Sequence, residues 1–195
     1  MRIIGLTGSI GMGKTTVAGF FRAAGIPVHD ADAAVHRLYN GPAAAAVEAA
    51  FPGTAPGGVV DRDRLGETVL GDRDALKRLE AIVHPLVRQD ERAFLKAAAG
   101  AGAAMAVLEI PLLFETGGDK RCDAVIVATA RPETQRQRVL KRPGMSADRL
   151  DALLANQMPD AEKRRRAHFL IITDYDLAFA KRQVMAVIRA LAASA

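Results

Sequence analysis

Gly8-Ser9-Ile10-Gly11-Met12-Gly13-Lys14-Thr15 decides the fold. The stretch satisfies in full the pattern of a glycine, four free positions and then Gly-Lys-Ser/Thr. Before it, Ile3-Ile4-Gly5-Leu6 reads as a short buried strand. After it, residues 16–24 read as a helix, with Val17, Phe20, Phe21 and Ala24 on one stripe and Gly25 as its stop. The glycines let the backbone wrap closely around an anion while successive N–H groups point inward. The helix N-terminus adds the positive end of its dipole. Lys14 is placed to reach the β- and γ-phosphates and Thr15 to ligate Mg²⁺. A glycine-rich turn carrying a chance lysine would need neither the strand nor the helix, so the expected ligand is a nucleoside triphosphate, ATP, with Mg²⁺.

The rest of the chain bounds this reading. At 195 residues it suits one domain with a small insertion, and half its residues are apolar. The formal charge of +5 suits an anionic substrate, but Lys and Arg are scattered among Asp and Glu, which argues against nucleic acid. The densest basic run, Lys163-Arg164-Arg165-Arg166, reads as a solvated helix face. The single cysteine, Cys122, excludes an internal disulfide framework and reads as packing. No apolar run approaches the roughly 20 residues that span a bilayer. The chain enters a strand directly rather than through a charged-then-apolar leader, so a cytoplasmic protein is expected.

Five apolar runs, 2–6, 26–30, 104–110, 124–129 and 169–172, read as parallel strands buried on both faces and separated by helices. The fold class is therefore α/β, a five-stranded parallel sheet flanked by helices. Ligands in such sheets bind at the carboxyl ends of the strands, where Asp30, Glu109, Glu115, Thr129, Arg131, Thr173 and Asp174 gather. About seventy residues between the second and third strands are too many for a simple crossover. They include a Gly/Pro-rich patch at 52–58 and helices around 62–70 and 73–99. They read as a helical substrate subdomain, residues 36–103. Residues 132–167 read as two helices joined by Arg142-Pro143-Gly144-Met145-Ser146, a basic lid in which Ser146 caps the second helix. Residues 1–35, 104–131 and 168–195 then form the nucleotide-binding core.

Four further groups carry chemistry. In Asp30-Ala31-Asp32, one carboxylate would hold Mg²⁺ through water and one would take the proton of an attacking hydroxyl. Alternatively Asp32 only caps a helix beginning at Ala33. His84-Pro85-Leu86-Val87-Arg88 reads equally as an anion site or as a surface histidine at a helix kink. In Pro111-Leu112-Leu113-Phe114, followed by Glu115, a substrate-facing turn and a core plug are both open. Arg138 and Arg142, one helical turn apart, read as lid arginines that neutralise a transferring phosphoryl group, against the plainer reading of a solvated face.

These blocks in this order resemble the dephospho-CoA kinase family. The resemblance rests on Gly5-Leu6-Thr7-Gly8, on Gly13-Lys14-Thr15-Thr16-Val17-Ala18, and on Asp30-Ala31-Asp32. It continues through His84-Pro85 with Val87-Arg88, Ile110 to Glu115, Gln135 with Arg138 and Arg142, and finally Gln157 and Lys163. It implies ATP-dependent phosphorylation of the ribose 3′-hydroxyl of dephospho-CoA, the last step to coenzyme A. It also implies that Gly8 and Gly11 to Thr16 (Met12 included), with Arg138 and Arg142, bind ATP. Lys14, Asp32 and Arg142 would be catalytic, and Thr15 and Asp32 would hold the metal. Asp30, Asp32, His84, Arg88, Pro111, Leu112 and Glu115 would face the acceptor. The chain departs from the family pattern at Leu153, where an arginine is usual, and at His168, Ile172 and the adenine-side loop Thr173-Asp174-Tyr175. The rival readings are another small-molecule kinase acting on a nucleoside monophosphate or polyol, and a nucleotide switch or nucleic-acid-associated ATPase. The expected state is a monomer or weak homo-oligomer, with a small molecule as partner.

Overall fold

The computed structural model describes residues 1–69 and 71–193. Its strands are β1 (Arg2–Thr7), β2 (Val28–Asp30), β3 (Met105–Glu109), β4 (Ala124–Thr129) and β5 (Phe169–Ile172). Its α-helices are α1 (Lys14–Ala23), α2 (Ala31–Tyr39), α3 (Ala44–Ala50), α4 (Arg62–Val69), α5 (Arg73–Gly100), α6 (Pro132–Leu140), α7 (Ala147–Ala155), α8 (Asp160–Arg166) and α9 (Leu177–Ala193). The strands form one sheet in the order β2-β3-β1-β4-β5, with β1 parallel to both β3 and β4, and β4 parallel to β5. Register places Leu6 beside Glu109 and Thr7 beside Val127, so the loop after β1 leaves from the centre of the sheet.

The contacts divide the chain into two compact units, residues 1–29 with 98–195 and residues 30–97. In the first, Ile4 and Leu6 of β1, Val107 of β3 and Ile126 of β4 pack with Val17 and Phe21 of α1 and with Val184 and Leu191 of α9. All are buried, and each such side chain removed from water contributes about 1.5–3 kcal/mol. In the second, Leu38, Tyr39, Val47, Phe51, Leu65, Leu79 and Val83 form a separate helical core.

Several boundaries move from the sequence expectation for local reasons. β2 is shorter because Pro27 has no N–H to donate, although its carbonyl still accepts from Val107 N at 2.9 Å. Residues 132–167 hold three helices rather than two, because the chain turns at Met158-Pro159 and restarts as α8. α5 runs unbroken through Pro85. Leu70, the end of one expected helix, lies outside the described residues, as do Ser194 and Ala195.

Candidate active site

The loop between β1 and α1 takes its shape from its glycines. Gly13 is the N-cap of α1 in the left-handed region, φ 82°, which starts the helix at Lys14 rather than at Thr16. Gly8 lies against β4, and a Cβ there would sit 2.6 Å from the Ala128 carbonyl. Among the described residues no side chain caps the N-terminus of α1, and no acidic residue lies in its first turn. The N–H groups of a helix's first turn have no partners within the helix, so this end presents donors and a positive dipole to an anion. Thr15 and Thr16 are exposed there. Met12 serves the loop differently. Its N–H donates to Ser9 O at 3.1 Å, its carbonyl accepts from Thr173 Oγ1 at 2.9 Å and its buried sulfur accepts from Ala130 N at 3.1 Å.

Lys14 meets a carboxylate that the sequence reading left without a role. Its Nζ lies 2.9 Å from Glu109 Oε1, and Arg22 Nη2 lies 3.3 Å from Glu109 Oε2. Glu109 is 1% exposed and Lys14 12%. A carboxylate so deeply buried is stable only when paired, and here α1 supplies both cations. The available signal was a glutamate closing the fully buried strand Met105–Glu109.

On the β4–β5 side, Arg138 of α6 does not project from a solvated face. Its Nη1 donates to Thr173 Oγ1 at 2.9 Å and to Gly11 O at 3.4 Å, and its Nη2 donates to Thr173 O. α6 ends at Leu140, so Arg142 lies beyond the helix and shares no helical face with Arg138, contrary to expectation. Arg142 is exposed. Asp174 accepts from Arg131 N at 2.8 Å. Burial raises the cost of its charge, but the Arg131 N–H, the Thr134 hydroxyl and the Arg131 guanidinium hold its carboxyl below the usual aspartate range.

The turn after β3 divides its residues between core and surface. Leu113 and Phe114 are buried core plugs, whereas Leu112 is exposed and Pro111 half-buried. Pro111 O accepts from Thr7 Oγ1 at 2.9 Å and from Lys163 Nζ at 3.4 Å. Lys163, expected on a solvated face, is 0% exposed and pairs with Glu115 Oε1 at 2.9 Å. Glu115 also accepts from Met158 N at 2.8 Å. Burial opposes its ionisation, but Lys163 and the Met158 N–H hold its carboxyl below the usual glutamate range. The Arg164, Arg165 and Arg166 side chains are exposed.

Within the second unit, the cap of α2 is Asp30 and not Asp32. Asp30 Oδ1 accepts from Ala33 N at 3.0 Å, and α2 begins at Ala31. Asp32 is exposed in the first helical turn. The capping explanation for Asp32 is thereby removed. On α5, His84 and Arg88 line one open cleft of about 640 Å³ with Arg92 and Glu80. Among the described residues, no group of three or more His, Cys, Asp or Glu side chains forms a metal cage. Ser146 caps α7 as expected, accepting from Arg149 N at 3.2 Å.

Comparison with known proteins bears on this geometry. The family model for dephospho-CoA kinase matches residues 2–178. A dephospho-CoA kinase of Mesorhizobium japonicum is 62% identical over 188 residues, 96% of this chain and 95% of that protein. A crystal structure of a Thermus thermophilus protein superposes with a TM-score of 0.86 at 36% identity, covering 97% of this chain and 96% of that one. A dephospho-CoA kinase from Campylobacter jejuni shares the fold with a TM-score of 0.67 at 24% identity, over 97% of each chain.

Proposed function

The chain belongs to the dephospho-CoA kinase family, and from that premise we propose how its residues divide the phosphorylation of the dephospho-CoA ribose 3′-hydroxyl by ATP. The observation that carries the proposal is an uncapped helix N-terminus whose first residue, Lys14, is fixed by buried Glu109. Gly8, Gly11, Gly13, Lys14, Thr15 and Thr16 bind the triphosphate through main-chain N–H groups, the lysine and the threonine hydroxyls. Met12 contributes by holding the loop's shape.

Phosphoryl transfer needs in-line placement and charge neutralisation more than covalent help from the protein. Lys14 supplies a point charge on the phosphates. Asp32, in the first turn of the helix that Asp30 caps, accepts the proton of the ribose hydroxyl. His84 and Arg88 bind the acceptor from their cleft on α5. Pro111, Leu112 and Glu115 shape the turn that faces it. Residues 132–167 act as the lid, with exposed Arg142 brought to the phosphates on closure and Arg138 anchoring the lid's first helix to the phosphate loop. Magnesium suits the donors present, a hard hydroxyl oxygen on Thr15 and the Asp32 carboxylate, and it would neutralise phosphate charge beside them.

The same reading makes the protein a cytoplasmic enzyme, monomeric or weakly self-associating. Among the described residues no helix is long and apolar enough to cross a membrane. The test is an acceptor panel with ATP: dephospho-CoA, a nucleoside monophosphate and a polyol, with the product's phosphate located by phosphorus NMR. The proposal expects the 3′-phosphorylated product from dephospho-CoA and little turnover of the others. Equal or better turnover of AMP or the polyol would contradict it.

A further inference from the structure

Two glutamines, Gln135 and Gln157, meet on one residue of the phosphate loop, Ile10, and hold the two peptide groups that flank it. Gln135 Nε2 donates to Ile10 O at 2.7 Å, and Ile10 N donates to Gln157 Oε1 at 3.2 Å. Gln135 is a buried residue of α6. Gln157 lies just past the C-cap of α7, next to Met158, whose N–H is held by Glu115. The two glutamines therefore stand at opposite ends of the helical segment that carries Arg142, and both close on Ile10.

The chemistry of the contact is directional. The Ile10 N–H only donates, so Gln157 must present its oxygen. The Ile10 carbonyl only accepts, so Gln135 must present its nitrogen. An uncharged amide does either without placing a negative charge beside a triphosphate site. α6 is also flush with the next residue of the loop: Arg138 donates to Gly11 O, and a Cβ on Gly11 would meet Val139 Cγ2 at 2.5 Å.

We propose that Gln135 and Gln157 are positioning residues that clasp the main chain of Ile10 from both sides, and that they hold the phosphate loop in its anion-binding shape and tie both roots of the Arg142 segment to it. The pair touches no reacting atom. It acts by fixing where the following N–H groups point, and it makes loop shape and segment position depend on each other. This goes beyond the assignment of the loop to ATP but rests on it.

The test compares Gln135→Ala, Gln157→Ala and the double variant with the parent enzyme, using ATP affinity, KM for each substrate, kcat and melting temperature. Each single variant is expected to weaken ATP binding about three- to tenfold, the span of one net hydrogen bond. The double variant should lose less than the product of the two, because both bonds fix the same residue, Ile10. The KM for dephospho-CoA should stay near the parent value. Gln157→Glu keeps the accepting oxygen and should retain a folded loop with weakened ATP binding from charge alone, relieved by salt. Gln135→Glu removes the donor and should match or exceed Gln135→Ala. ATP affinity unchanged in both single variants, losses that multiply in full, or equal losses in both KM values would overturn the clasp. If a variant loses stability, ATP affinity measured below its melting transition still decides the outcome. Lys14→Ala run alongside separates the two assignments. If it abolishes ATP binding while the glutamine variants do not weaken it, the clasp fails and the loop assignment stands. If it leaves both ATP binding and turnover near the parent values, the loop assignment fails.

Discussion

Lys14 and Glu109 stand 95 residues apart in sequence and 2.9 Å apart in space. Parallel pairing of β1 with β3 brings them together, since Leu6 and Glu109 are register partners and Lys14 follows at the start of α1. The carboxylate is buried more deeply than either cation it holds: 1% exposed, against 12% for Lys14 and 41% for Arg22. Its charge is therefore the expensive member of the cluster, and the two cations stabilise it.

Glu109→Gln should destabilise the protein and impair it. Removing one member of a fully buried pair costs about 3–5 kcal/mol, and because Lys14 and Arg22 retain solvent the cost here should be nearer 1–3 kcal/mol. ATP should stabilise the variant more than the parent, since its phosphates offer Lys14 a replacement anion. Chemical denaturation with and without ATP measures both effects. A variant as stable as the parent would show that the pair is incidental.

Asp30 and Asp32 should separate cleanly. Asp30→Ala removes the α2 cap and should cost about 1 kcal/mol of stability. Asp32→Asn should leave the melting temperature within a degree or two and lower kcat far more than it weakens ATP binding. The reverse pattern would make Asp30 the proton acceptor.

The Lys163–Glu115 pair should set an acid limit. Glu115 titrates below its ordinary value in the folded state, so its contribution to stability is present above the unfolded value of about 4.3 and is lost as pH falls through the lower folded value. Stability measured by denaturant from pH 7 to pH 3 should be flat in this contribution down to about pH 5 and then decline. Lys163→Met keeps the bulk, removes the buried ammonium, and should remove part of that decline. It should also destabilise the turn at Pro111, whose carbonyl Lys163 holds. An unchanged acid profile would mean that the pair contributes nothing to it.

Arg142 lies past the end of α6 and is exposed, so its replacement should spare stability. Arg142→Ala should lower kcat with little change in melting temperature, and Arg142→Lys should be intermediate, because an ammonium lacks the planar fork. ATP analogues should protect residues 132–167 from proteolysis in the parent. Full activity in Arg142→Ala together with unchanged cleavage would end the lid assignment.

The sheet was legible because its strands are short runs of apolar residues; β3 and β4 are buried on both faces, whereas β5 lies at the sheet's edge and exposes Leu170 and Ile172, contrary to expectation, yet the bounds of β4 and β5 match the expected runs to the residue. The phosphate loop was legible because its requirements are local: glycines for the backbone, then lysine and threonine at fixed offsets. What the sequence did not disclose depends on distant partners. Glu109 becomes informative only once β3 lies beside β1, and Lys163 reads as one more cation in a basic run until α8 is packed against Glu115. Arg138 reads as a lid arginine, and its tie to the phosphate loop is hidden until Thr173 is placed next to it at the end of β5. The third helix of residues 132–167 was hidden because the Met158-Pro159 break is short and its caps lie outside the usual residue types.

Turnover of Lys14→Ala with ATP and dephospho-CoA, measured beside its melting temperature, tests most directly the claim that this loop performs phosphoryl transfer. Lys14→Ala leaves buried Glu109 with Arg22 as partner, so the variant should lose some stability yet stay folded, while turnover should fall on the order of a hundredfold or more, the scale of a lost transition-state donor. A folded Lys14→Ala protein that still makes coenzyme A at near-parent rates would contradict the account.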